Sequence, residues 1–111
     1  MVVTELTDAE VDRVFHALAD ATRRDIVRRV IDREQSVSKL AERYAMSLTA
    51  VQKHVAVLER SGLIAKSRRG REQLVSAQPE IIGRARRLLD ELEELWRDRV
   101  GRMEDILREG E

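Results

Sequence analysis

The chain has no cysteine, one proline and only three aromatic residues, Phe15, Tyr44 and Trp96. The first absence excludes disulfides and thiolate metal ligands and leaves the redox compartment open. The scarcity of aromatics means that a core must come from Val, Leu, Ile and Ala, which suits helix packing better than a β-sandwich. No run of about 18 apolar residues occurs, so no membrane contact is expected. The N-terminal MVVTELTDAEVDR has no basic segment leading into an apolar one, so a cytoplasmic location is expected. A Gly-rich phosphate loop, a Ser/His/Asp or Cys/His set and HExxH spacing are all missing, so neither a catalytic residue nor an enzyme is expected. Glu91, Glu93, Glu94 and Asp98 read as a solvated helix face.

Net charge is lacking as well, with 21 basic against 21 acidic residues, but its distribution is uneven. From Ser36 to Arg71 the chain carries Lys39, Arg43, Lys53, Arg60, Lys66, Arg68, Arg69 and Arg71 against Glu42 and Glu59, a net +6 balanced by −6 elsewhere. A segregated basic middle on an acidic body fits a compact nucleic-acid-binding face better than chance clustering on a solvated surface.

At 111 residues one domain spanning 1–111 is expected. Thr7-Asp-Ala-Glu10 has the form of a capping box, and Val11, Val14, Phe15 and Leu18 recur at helical spacing, predicting a helix over 8–19. Asp20 can cap a second helix with Ile26, Val27, Val30 and Ile31 inside. Its arginines, Arg23, Arg24, Arg28 and Arg29, read as a solvated or salt-bridged face, with approach to a phosphate backbone as the alternative. Residues 36–61 read as a helix-turn-helix: a short helix over Ser36 to Tyr44, a connection of Ala45, Met46 and Ser47, and a helix that Ser47 caps and Gly62 ends. Val51, His54, Val55 and Leu58 share the inner side of that second helix. Leu48, Thr49, Gln52, Lys53 and Ala56 share the outer side, which has no acid and suits a groove lined with phosphates and base edges. Glycine is usual in such a connection because one residue there tends to have positive φ, so Ala45 is expected to cost on the order of 1 kcal/mol.

Residues 63–77 read as a hairpin, a wing whose tip carries Arg68, Arg69 and Arg71 around Gly70. Those arginines suit phosphate contact. Pro79 fits the first turn of a last helix over 79–109. Ile82, Ala85, Leu89, Leu92, Trp96, Met103 and Ile106 follow alternating spacings of three and four along it, widened by Leu88, Leu95 and Leu107. A stripe this broad on a small domain implies a homodimer, with Val11, Phe15, Leu89, Leu92, Trp96 and Met103 at the interface. The expected architecture is mainly α with a small β-hairpin: a winged helix-turn-helix with long N- and C-terminal dimerisation helices.

The run ALADATRRDIVRRV, the segment VSKLAERYAMSLTAVQKHVAVLERSGLI and the wing SRRGR resemble the ArsR family of bacterial transcriptional repressors, and the likeness extends over nearly the whole chain. The tail LEELWRDRVGRMEDIL is similar to a subgroup without metal sites. The resemblance implies a homodimer that binds double-stranded DNA at an imperfect palindrome and represses. It implies base contact at Gln52; from the faces of the helix and the wing, Thr49, Gln52 and Lys53 are expected to read or flank bases, Ser47 and Leu48 to approach them at the helix start, and Arg68, Arg69 and Arg71 to hold phosphates beside or in the minor groove. Many members have proline at Ala21, glycine at Ala45 and serine at Gln52. A glutamine can read adenine bidentately, so the operator sequence does not carry over. In metal-responsive relatives a Cys-x-Cys pair matches Ser36 and Ser38, whose hydroxyls are poor ligands for soft metals. The terminal helix has no histidine, and His16 and His54 stand on different helices. No metal and no cofactor is therefore expected. Two alternatives stay open: a winged helix used as a protein-interaction adaptor, and a repressor released by a small-molecule inducer of unknown identity.

Overall fold

The computed structural model describes Leu6 to Gly110; residues 1–5 and Glu111 of the expected 1–111 domain lie outside the described residues. Helix α1, Asp8–Leu18, starts in the anticipated capping box: the Thr7 hydroxyl accepts from the Glu10 amide, and the Glu10 carboxylate accepts from the Thr7 amide at 3.0 Å. Asp20 caps α2, Ala21–Asp32, by accepting from the Arg23 amide. Ile26, Val27 and Val30 enter the core, but Ile31 is 58% exposed, so the inner stripe is narrower than expected. Ile31 neighbours Val30 in sequence, and the 100° step carries it off the buried arc.

The sheet departs from expectation by one strand. Besides β2, Ile64–Arg69, and β3, Glu72–Ala77, a short β1, Gln35–Ser36, pairs antiparallel with β3 through Gln35↔Val75 and Ser36↔Leu74, giving the order β1-β3-β2. Two residues carry no period, so this strand had no signature in the sequence. Its end is the start of α3, Val37–Ala41, because the Ser36 hydroxyl caps that helix by accepting from the Lys39 amide at 3.1 Å. The helix is shorter than the Ser36 to Tyr44 expected, and the connection to α4 is correspondingly longer, residues 42–47.

Ala45 does not carry the strain expected of it. Among the described residues only Gly62 and Gly70 have positive φ, so the longer connection turns without a left-handed residue and the substitution costs nothing on that account. Helix α4, Leu48–Ser61, has the two ends predicted: the Ser47 side chain accepts from the Ala50 amide, and Gly62 at φ 85° closes the C-terminus. The Leu63 amide then reaches back to the Leu58 carbonyl at 3.2 Å, which turns the chain directly into the wing.

Val51, Val55 and Leu58 of α4 meet Ile26, Val30, Leu40, Leu63, Ile64 and Val75 in one aliphatic core. That is the aromatic-poor core the composition requires. Helix α5, Pro79–Glu109, has Pro79 in its first turn and buries only Ala85. It projects from this body. The radius of gyration is 19.3 Å, against about 13 Å for a compact chain of this length.

Candidate nucleic-acid interface

The Ser47 cap and the Gly62 stop fix the ends of α4, and its apolar side orients it. Its core side is anchored by Val51, Val55 and Leu58, so Thr49, Gln52 and Lys53 are exposed on the opposite side, and Leu48 is 47% exposed beside them. Ser47 precedes them with its hydroxyl engaged in the cap. This outer row contains no acid.

The wing stands next to that row. The strands β2 and β3 stay in register from Ile64↔Ala77 out to Arg69↔Glu72, which leaves Gly70 and Arg71 as a two-residue turn. Gly70 has φ 64°, whereas Arg71 does not have positive φ. A hairpin turn of this length needs a left-handed residue, and glycine supplies it without steric cost. Arg68, Arg69 and Arg71 are all exposed at the tip. Their internal ties are weak: Arg68 Nε donates to the Gly70 carbonyl at 3.4 Å, and Arg69 Nη2 lies 3.8 Å from Glu34 Oε1 with its side chain 77% exposed. Exposed pairs of this kind are worth well under about 1 kcal/mol and yield readily to a stronger anion.

A cleft of about 440 Å³ runs between the first half of α4 and the wing, with Ser38, Leu48, Gln52, Lys66, Arg71, Glu72 and Gln73 on its walls. The structure thus brings Leu48 and Gln52 together with Arg71, while Thr49 and Lys53 are not among the residues lining it. Lys66, Ser38 and Gln73 were not singled out as site residues. Lys66 could have been found, because strand alternation puts it on the face of β2 that also carries Arg68. Its ammonium lies 3.5 Å from the Glu59 carboxylate of α4, which ties the wing to the helix.

Behind the interface, α2 holds the connection in place through residues expected on a solvated or salt-bridged face, and the salt bridge is the Arg29–Asp25 pair. The Tyr44 hydroxyl donates to Asp25 Oδ2 at 2.6 Å, Arg29 Nε donates to the same oxygen at 2.7 Å, and the Arg29 guanidinium lies 5.8 Å from the centre of the Tyr44 ring. The Tyr44 hydroxyl and then Arg29 hold the Asp25 carboxyl below the usual carboxylate range. Burial, reinforced by Asp25, pushes the Tyr44 phenol up to about 12. Both contributions therefore favour folding at neutral pH. That of Asp25 is lost as pH falls through its depressed value, and that of Tyr44 as pH rises from about 10 towards 12. Because the Asp25 side chain is 38% exposed, a Tyr44→Phe change is expected to cost about 1 kcal/mol, below the range for a buried bond to a charge. Urea unfolding measures the loss, and the Asp25 carboxyl should titrate closer to its ordinary value in the variant.

Arg23 and Arg24 are also employed. Arg24 Nη1 donates to the Leu18 carbonyl at 2.7 Å, and Arg23 donates to the carbonyls of Ala17 and His16 at 2.8 and 2.9 Å. These carbonyls lie at the C-terminal end of α1, where a cation is favoured, and that of His16 also accepts from the Ala19 amide at 3.2 Å.

The proposed pairing stripe is open. Phe15 is 36% exposed, Leu89 52%, Leu92 53%, Trp96 63% and Met103 55%. Val11 is half-buried in a groove between α1 and the first turns of α5, with Leu6 and Leu88 beside it. Among the described residues no cluster of three or more His, Cys, Asp or Glu has a metal-holding arrangement. No helix among them is long and apolar enough to cross a membrane.

Helix-turn-helix, three-stranded wing and protruding terminal helix define a winged helix-turn-helix DNA-binding fold. A protein-family profile described as a helix-turn-helix domain matches residues 18–66. The chain is 34% identical over 79 residues to the HTH-type transcriptional regulator Rv2034 of Mycobacterium tuberculosis, covering 71% of this chain and 74% of the relative. It is 34% identical over 71 residues to the uncharacterized HTH-type transcriptional regulator YuzN of Bacillus subtilis, covering 58% and 77%. Among solved structures, an ArsR-like transcriptional regulator from Rhodococcus sp. RHA1 superposes with a TM-score of 0.84 at 32% identity, covering 90% of this chain and 92% of that one. A homodimeric winged helix-turn-helix DNA-binding domain from Mycobacterium bovis, a possible ArsR-family regulator, superposes with a TM-score of 0.63 at 25% identity, covering 85% and 91%. The chain belongs to the ArsR family of winged helix-turn-helix transcriptional regulators. That family is a class of regulators, not of enzymes.

Proposed function

We propose that this regulator is a homodimeric repressor that reads an imperfect palindrome in double-stranded DNA. One observation carries the reading: the exposed, acid-free row of α4 lies across a cleft from a wing tip of three weakly tied arginines. Two copies pair through α1 and α5, burying Val11, Phe15, Leu89, Leu92, Trp96 and Met103, and enter successive major grooves about 34 Å apart. Thr49, Gln52 and Lys53 read or flank bases, with Ser47 and Leu48 close to them at the helix start. Arg68, Arg69 and Arg71 hold phosphates beside or in the minor groove, and the cleft lined by Lys66 and Gln73 receives the strand between. Occupancy of a promoter excludes polymerase.

The test is to select bound fragments from the source genome and read their common sequence. Two half-sites related by a twofold axis, with centres about 10 base pairs apart, are expected. Selection repeated with Gln52→Ala should change the preferred base at one position in each half-site. If no sequence is enriched, or if the variant selects the same sequence, the reading is wrong.

A further inference from the structure

One guanidinium joins the helix proposed to pair with the partner to the helix proposed to read DNA. Arg23, on the first turn of α2, places Nε 2.8 Å from the Ala17 carbonyl and Nη2 2.9 Å from the His16 carbonyl, both at the end of α1. Its third nitrogen, Nη1, lies 3.3 Å from His54 Nδ1 on α4. A guanidinium only donates, so Nδ1 accepts here and the imidazole proton sits on Nε2. The Arg23 amide is fixed in turn by the Asp20 cap at 3.0 Å. His54 is half-buried on the side of α4 turned away from Thr49 and Lys53.

We propose that Arg23 is a positioning residue that sets the angle of α4 against α1 and so the spacing at which the dimer accepts two half-sites. The proposal rests on the paired, DNA-reading dimer described above. The lever is a simple one. A 14-residue helix is about 21 Å long, so a tilt of about 5° around its middle moves the first turn by roughly 1 Å. The distance window of a hydrogen bond is about half of that, so such a tilt breaks a base contact. In a twofold dimer the error occurs at both half-sites, and it changes the separation of the two reading helices. Apolar packing of Val14 and Ala17 holds α1 in the body, and the Arg23 fork adds a polar tie between the end of α1 and α4. The planar fork is directional, and lysine cannot reproduce it.

The experiment measures affinity by fluorescence anisotropy for the selected operator and for versions with one or two base pairs inserted between the half-sites. Wild type, Arg23→Lys and His54→Leu are compared, with circular dichroism to confirm folding. Each ratio of affinities is taken within one protein, so a loss of folded fraction cancels. Wild type is expected to lose about tenfold or more on one insertion, comparable to one wrong base pair, whereas each variant should lose about threefold or less. If both variants keep the wild-type ratio, Arg23 is a local cap of α1 and the proposal is overturned. A wild-type dimer that binds its operator but ignores the insertion overturns it as well. Failure to find any preferred duplex is a different result, which brings down the DNA reading and this inference with it.

Discussion

Leu92→Glu is expected to convert the protein to monomers at micromolar concentration and to weaken operator binding by at least about a hundredfold. The side chain is 53% exposed on α5, and α5 buries only Ala85, so the folded body loses almost no contact when the charge is introduced. In the proposed pair the same position would be covered by apolar neighbours, where an unpaired carboxylate is costly to desolvate. Once the protomers separate, the second half-site is no longer presented at high effective concentration, an advantage of roughly a hundredfold or more for linked modules. Sedimentation and anisotropy on one preparation check both consequences. A variant that stays dimeric, or that stays monomeric with undiminished affinity, contradicts the role given to α5.

The second large effect belongs to the wing. Replacing Arg68, Arg69 and Arg71 together by alanine should weaken binding to every sequence, by about three decades at moderate salt if each loses roughly 1.4 kcal/mol. The slope of log affinity against log salt should flatten by about 2.7, because three phosphate contacts release that many fewer counterions. Folding should be unaffected, since all three side chains are exposed and their partners, Glu34 and the Gly70 carbonyl, are tied weakly.

The parts of this fold legible in the sequence are those written in local chemistry. The Thr7 capping box, the Asp20 and Ser47 caps and Pro79 at the last helix each satisfy or remove backbone donors that a helix start leaves open, and the Gly62 amide satisfies carbonyls at the end of α4. The basic tip around Gly70 was legible for a similar reason, since only glycine takes that turn without strain. What stayed hidden depends on residues distant in the chain. Two residues cannot show a period, so β1 emerged only from its pairing with β3. Tyr44 and Asp25, like Arg23 and His54, are linked by single polar contacts across 19 and 31 positions, and no spacing rule reaches that far. The arginines of α2 therefore read only as a solvated or salt-bridged face, which the Arg29–Asp25 pair fits and the long-range Arg23 contacts exceed. Lys66 is within reach of sequence reasoning, because strand alternation puts it on the face of β2 that carries Arg68. The expected strain at Ala45 came from assuming a tight connection, which the short α3 makes unnecessary.

The proposed function divides the labour between the two surfaces. In the proposed complex α4 presents its side chains to the bases, whereas the arginines of the wing contact phosphates. Discrimination should follow the first and affinity the second.

Anisotropy titrations of Gln52→Ala and of the triple arginine variant, run side by side on the selected operator and on an unrelated duplex at several salt concentrations, test this division most directly. Gln52→Ala should lose about 1 to 3 kcal/mol of preference for the operator while keeping the wild-type salt slope. The arginine variant should keep the preference and lose the slope. If the two variants lose preference and slope alike, α4 does not read the sequence that the wing anchors, and the account fails at its centre.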